Sequence, residues 1–391
     1  MLFSSYVEQL RSAEHALYTK AFAWWRSWQQ HNNLPQPAKP TTFEPSTVTT
    51  GADEYVHMVT ATAAGADAKK TPMVCLHGFA HGTSVFAMTL APLAEAWGGP
   101  VHALDSPGCG LSSRPAHQQQ ADTEKGRLEA ENFFVNGLEN WRKAMGYEKM
   151  VLVGHSIGGF CAFVYAERYP ERVERLVLLS PAGVPRPPPD FEERVKDAPF
   201  IFRTAFNMWN KGYSPLSFVK AGAGWGPGRL LVNGYVYRRI PERSWIDHKL
   251  YADYMYLNHI AGETSWGGHA HATLLQPGAF ARSPIANRIG GIAWAPRGPS
   301  RVCMIYGTRD WMDPTAAEAM RDGVGGLKGR VEVCRVASAG HNVPLDNPLG
   351  VVDAICASNH AGMCDGVTFG AAHIRADEAW EQQKNVQTPA K

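Results

Sequence analysis

Six short apolar runs, each carrying or ending in a glycine turn, constrain this chain more than any other feature. They are MVCLHG at 73–78, VHALDSPG at 101–108, MVLVGHS at 150–156, LVLLSPAG at 176–183, VCMIYG at 302–307 and VEVCRVASAGH at 331–341. Helix-length segments such as 128–145 and 157–169 separate most of them. A strand that is apolar on both faces has no solvated side, so it belongs inside a sheet covered above and below. Helical crossovers between such strands give an α/β class, a mainly parallel sheet flanked by helices. With 45% hydrophobic and 19% charged residues, the 391 positions hold ample apolar material for that core.

The alternation stops at Val184, where PRPPPD begins, and resumes near Arg301. Four prolines in that stretch exclude a strand or helix interior. The 100 residues 184–283 contain 16 aromatics, and 12 Lys plus Arg against 8 Asp plus Glu. An aromatic, mildly basic, helical insertion between two parallel strands is expected to form a lid over the strands' carboxyl ends, where ligands bind in this architecture. The expected organisation is an N-terminal helix within 1–45, core at 46–183, lid at 184–300, core again at 301–360, and a polar tail at 361–391. Across the whole chain 38 basic residues nearly balance 36 acidic ones, so no global field grips nucleic acid and no nucleic-acid partner is expected.

Ahead of the sheet, Tyr6, Leu10, Ala13, Leu17, Ala21, Trp24 and Trp28 recur at helical spacing, and Asn32, Asn33 and Pro35 end the run. Trp24, Trp25 and Trp28 beside Lys20 and Arg26 suit a helix lying on a membrane or lipid-droplet surface. The same pattern also suits a helix docked on the core. No apolar run reaches the ~18 residues that span a bilayer. Charged residues interrupt the first thirty positions, so a signal peptide is not expected either. The seven cysteines are odd in number and form no C-x-x-C pair, which fits a reducing, cytoplasmic setting.

The chemistry centres on Gly154-His155-Ser156-Ile157-Gly158, between the strand MVLV and a helix-like run. Flanking glycines allow the sharp turn that lifts a serine hydroxyl out of a sheet, and the following helix points its amino terminus at developing negative charge. A serine needs a base, and the base needs an orienting carboxylate. His341 ends the last apolar run and is the expected base; Asp310, three residues after Gly307, is the expected acid, with Asp313 on the same loop as the alternative. The backbone N–H of Ile157 and of Phe79, in the turn HGFAHG after MVCL, are the expected oxyanion donors. Serine in place of aspartate at the nucleophile position favours acyl transfer over epoxide or haloalkane opening. His269-Ala-His271 has no accompanying ligand constellation, and the alternating Gly222, Gly224, Gly226 and Gly228 follow no strand, so neither a metal nor a cofactor is expected.

DSPGCGLSSRP (105–115), WRKAMGYEKMVLVGHSIGGF (141–160), YPERVERLVLLSPAGVP (169–185), PGAFARSPIANRI (277–289) and YGTRDWMD (306–313) resemble one branch of the α/β-hydrolase superfamily. That branch holds α/β-hydrolase domain proteins four and five, with plant and fungal relatives described as phospholipases, cardiolipin deacylases and lysophosphatidic acid acyltransferases. The likeness runs from about residue 70 to 355, and the Trp-rich segment is similar to the family's lipid-surface anchor. It implies a serine esterase acting on glycerophospholipids or lysophospholipids, associated peripherally with lipid droplets or intracellular membranes, mitochondria included. The family's animal coactivator lacks the nucleophilic serine that stands here as Ser156. The family's acyltransferase pattern, H-x4-D, matches His341 and Asp346 and implies acyl-CoA as a further partner. An adaptor that recruits a separate lipase is the non-catalytic alternative.

Overall fold

A computed structural model describes residues 2–115, 123–210, 219–220, 226–240, 243, 245–261 and 266–387. Gly222 and Gly224 of the alternating glycines, and the His269 side chain, lie outside the described residues. The six apolar runs become β3 (Met73–Leu76), β4 (Val101–Leu104), β5 (Met150–His155), β6 (Val173–Leu179), β7 (Val302–Gly307) and β8 (Val331–Val336). They lie side by side, all parallel, in the order β4-β3-β5-β6-β7-β8. Nearly every residue in them is buried, as expected for strands covered on both faces.

Three further strands complete a nine-stranded sheet. β1 (Thr42–Thr49) and β2 (Tyr55–Thr62) form an antiparallel hairpin that also pairs antiparallel with β4. β9 (Thr368–Phe369) pairs parallel with β8, so the polar C-terminal segment closes the far edge. β1 alternates exposed and half-buried positions and includes Glu44, Pro45 and Ser46, which suits an edge strand.

Helix α1 (Leu2–His31) precedes the sheet, and α2 (Ala87–Trp97), α3 (Glu124–Ala144) and α4 (Ile157–Arg168) cross between its strands. Between β6 and β7 come α5 (Phe191–Asp197), α6 (Phe200–Asn210), α7 (Pro227–Arg239), α8 (His248–Ile260) and α9 (Trp266–Leu274). After β7, α10 (Thr315–Arg321), α11 (Pro348–Ala357) and α12 (Ala371–Gln387) follow. One apolar core joins α1, α2, α8 and α11 to one sheet face; the other joins α3, α4, α9 and α10 to the opposite face. Since β3 connects to β4 on one side and pairs with β5 on the other, the strand order reverses at β3. The helices that follow β3 and β5, α2 and α4, lie on opposite faces of the sheet, so both loops bring their residues to the carboxyl ends of the strands.

The structure decides between the two expectations for the tryptophans of α1. Trp24, Trp25 and Trp28 are buried, with Trp24 5.4 Å from Trp245 and Trp28 5.8 Å from His373 between ring centroids. The face expected to enter a lipid surface is therefore occupied by protein. Its partners come from the insertion and the C-terminal helix, over 200 residues away in sequence, which local periodicity cannot show. Among the described residues, no helix is long and apolar enough to cross a membrane.

Candidate active site

Ser156 stands between β5 and α4 with φ +56° and ψ −120°, a backbone conformation that side-chain-bearing residues rarely adopt and that costs about 1–3 kcal/mol. The two flanking glycines make that turn possible. A Cβ on Gly154 would lie 2.4 Å from the Gly158 carbonyl oxygen, and one on Gly158 would lie 2.4 Å from that of His77. The turn after β3 rests on the serine itself, since a Cβ on Gly78 would come within 3.0 Å of Ser156 Cβ. Phe79 follows Gly78 in this turn, and its ring leans on Trp209 and His271 at 5.8 Å each. Ile157 opens α4, where the first amides of a helix lack intrahelical acceptors and carry partial positive charge.

The structure brings His341 and Asp310 to this serine. His341 Nε2 lies 3.0 Å from Ser156 Oγ, and His341 Nδ1 lies 3.4 Å from Asp310 Oδ1. The second distance is an ion-pair distance, longer than a formed hydrogen bond, as catalytic contacts often are before substrate binds. The Asp310 side chain is fully buried, and its Oδ1 accepts the Met312 N–H at 3.0 Å. Burial opposes its charge, yet the close approach of His341, aided by Ser180 and the Met312 amide, holds the carboxyl below its usual range. Asp313 is exposed and accepts from both the backbone N–H and the hydroxyl of Thr315, at 2.9 and 2.6 Å. Of the two carboxylates, only Asp310 meets the histidine.

Several further residues support the histidine. His155 Nε2 donates to the His341 carbonyl at 2.8 Å, and burial with the neighbouring imidazole pushes the His155 pKa down to about 3. A neutral ring thus braces the backbone of the base. Asp346, expected as part of an acyltransferase pattern, is buried, and its Oδ2 accepts the Gly340 N–H at 2.7 Å, so it anchors the residue before His341. Burial pushes its pKa up to about 7. The half-exposed Trp311 ring sits 5.1 Å from the His341 ring.

Helix α1 also reaches the site. Glu14 Oε1 accepts from the Thr83 hydroxyl at 2.6 Å, its Oε2 meets His57 Nε2 at 2.8 Å, and the Tyr18 hydroxyl donates to the Thr83 carbonyl at 2.8 Å. Asp105, at the end of β4, accepts the Thr83 N–H at 2.9 Å. From α8, Tyr251 OH meets His81 Nδ1 at 2.8 Å, and Asn258 Nδ2 donates to the His81 carbonyl at 3.0 Å. The segment after Phe79 is held from both sides. One signal could have found Glu14: it lies between Leu10 and Leu17 on the apolar stripe of α1, where a carboxylate needs a buried partner. Cys303, Cys334 and Cys364 also converge within the core, with Cys364 Sγ 3.1 Å from the Ala354 carbonyl oxygen; their spacing in the chain gives no sign of it. All seven cysteines are free thiols.

Residues 71–226 match the family model described as alpha/beta hydrolase fold. The chain is 33% identical over 287 residues to 1-acylglycerol-3-phosphate O-acyltransferase ABHD5 of Rattus norvegicus, covering 71% of this chain and 74% of that protein. It is 29% identical over 292 residues to (lyso)-N-acylphosphatidylethanolamine lipase of Bos taurus, covering 74% and 80%. Among solved structures it is similar to a bacterial membrane phospholipase A, with TM-score 0.56 and 19% identity over 92% of this chain and 91% of that one. It is also similar to carboxylesterase CesB of Bacillus subtilis, with TM-score 0.54 and 18% identity over 88% and 99%.

Proposed function

Because the chain belongs to the α/β-hydrolase fold family, in the branch that includes ABHD5 and the (lyso)-N-acylphosphatidylethanolamine lipases, we propose that it cleaves acyl esters of glycerophospholipids or lysophospholipids through an acyl-enzyme on Ser156. The observation that carries this reading is the 3.0 Å approach of His341 Nε2 to a serine hydroxyl raised on a strained turn. Ser156 Oγ attacks the ester carbonyl carbon while His341 Nε2 takes its proton. The Phe79 and Ile157 amides receive the oxyanion that forms, and Asp310 orients the imidazole and stabilises its charge. His341 then returns the proton to the departing alcohol, here the lysolipid, or the glycerophosphoryl headgroup when a lysolipid is the substrate. Water, deprotonated by the same imidazole, attacks the acyl-enzyme, and the fatty acid leaves as Ser156 regains its hydrogen.

A second reading replaces water with lysophosphatidic acid and takes the acyl group from acyl-CoA. Its support is the name of the ABHD5 relative and the H-x4-D spacing of His341 and Asp346. Mass spectrometry of products from mixed phospholipid and lysophosphatidic acid vesicles, with and without acyl-CoA, separates the two. Serine-dependent free fatty acid plus lysolipid supports the hydrolase. Phosphatidic acid formed only with acyl-CoA supports the transferase. Ser156→Ala turning over lipid at the wild-type rate would sink both.

A further inference from the structure

With the tryptophans of α1 turned inward, α7 groups several of the exposed large apolar side chains found among the described residues. On α7, Leu230, Leu231 and Tyr237 are 72%, 55% and 57% exposed. Helical spacing puts Leu230, Leu231, Gly234, Tyr237 and Arg238 on one outward arc. Arg238 and Arg239 are exposed at its C-terminal end, and the helix has no acidic residue. Its opposite face is committed to the protein: Gly228, Val232 and Val236 are buried, and Tyr235 OH accepts from Asn342 Nδ2 at 3.3 Å. Asn342 is the neighbour of His341, so the inner face of α7 touches the candidate site while its outer face looks away.

Single exposed leucines are ordinary on protein surfaces. Two adjacent leucines, a tyrosine and Arg238 on one arc, with Arg239 exposed at the helix end and no carboxylate in the helix, have the composition of a helix that lies in the headgroup region of an anionic bilayer. We infer that the outer face of α7 is a docking surface for anionic phospholipid membranes, with Leu230, Leu231 and Tyr237 entering the acyl boundary and Arg238 and Arg239 meeting lipid phosphates. The inference rests on the lipid-hydrolase reading for its purpose, because a substrate that never leaves its bilayer must be met there. It stands apart from that reading in what it measures.

The test is co-flotation of the full chain with phosphatidylcholine vesicles, with and without phosphatidylserine, run in a Ser156→Ala background so that turnover plays no part. The parent is expected to float with the anionic vesicles and weakly with the neutral ones. Leu230→Ser with Leu231→Ser is expected to weaken binding at least about tenfold, since full burial of one leucine is worth about 1.5–3 kcal/mol and each ~1.4 kcal/mol is tenfold. Arg238→Glu with Arg239→Glu is expected to abolish the preference for phosphatidylserine. In chains with Ser156 intact, both double variants should hydrolyse a short water-soluble ester like wild type, which shows that they are folded. Equal flotation of the parent and the leucine variant overturns the inference, as does absence of any vesicle binding by the parent. A leucine variant that loses self-association in sedimentation while keeping vesicle binding would make this face a contact between copies, and also overturns it. Failure of soluble-ester hydrolysis in wild type would sink the hydrolase reading and leave the flotation result standing.

Discussion

Replacing Glu14 by alanine tests whether α1 is part of the site's support. Glu14, His57, Thr83 and Asp105 are all buried, and Glu14 holds two of the others at 2.6 and 2.8 Å. Glu14→Ala leaves the Thr83 hydroxyl and the His57 ring without that partner and opens a cavity. Removing one member of a buried ion pair costs about 3–5 kcal/mol. At about 2.1 cal/mol/K per residue, unfolding 391 residues carries roughly 0.8 kcal/mol/K, so the thermal midpoint should fall by about 4–6 °C. The loss also depends on pH. Burial opposes the His57 charge, and Arg11 adds to that, but the hydrogen bond and field of Glu14, with Asp105 behind it, raise its pKa above 6.5. Stability from a raised histidine is complete below the unfolded value of about 6.5 and fades as pH rises through the folded pKa. The gap between wild type and variant is therefore widest near pH 6 and narrows toward pH 9. Calorimetric midpoints at both pH values are the assay. A shift below about 1 °C, or a gap that widens with rising pH, would refute the reasoning.

Other consequences follow from the same geometry. Asp310→Asn should lower kcat by on the order of 10³–10⁴-fold while Asp313→Asn stays within about threefold of wild type, read on any ester substrate; the reverse ranking would make Asp313 the acid. Gly158→Ala drives a Cβ against the His77 and Leu76 carbonyl oxygens, which are backbone and cannot yield cheaply, so loss of at least ~1–3 kcal/mol in urea unfolding is expected. Asp346, raised to about 7 by burial, contributes stability that is complete below an unfolded value of 3.8 and lost as pH rises toward 7. Asp346→Asn should then unfold at higher urea than wild type at pH 8, by on the order of 1–4 kcal/mol, with the advantage shrinking toward pH 4; no difference at pH 8 would contradict the burial argument.

The central sheet was legible because strands buried on both faces must be apolar throughout, and such runs as MVLV and VCMIY have few other uses. The meeting of Ser156, His341 and the loop that carries both Asp310 and Asp313 was legible for a related reason: each lies at or just past the end of such a run, and parallel strands deliver their ends to one edge. The rest depends on contacts that local pattern cannot carry. β1 is a half-exposed edge strand, and no apolar run marks it. The tryptophans of α1 have the same helical pattern whether they face lipid or protein, and Trp245 and His373 decide the matter from far along the chain. Asp310 and Asp313 share a loop, and only the side-chain contacts separate them: one meets His341 while the other binds Thr315. Glu14 was visible as a carboxylate on an apolar stripe, but its partner Thr83 was not.

The measurement that bears most directly on the account is labelling with a fluorophosphonate probe, with the adduct located by peptide mass spectrometry. The account predicts one adduct, on Ser156, lost in Ser156→Ala, strongly slowed in His341→Ala and Asp310→Asn, and unchanged in Asp313→Asn. An unlabelled wild-type chain, or an adduct on another serine that survives Ser156→Ala, would contradict the assignment of Ser156 as the nucleophile.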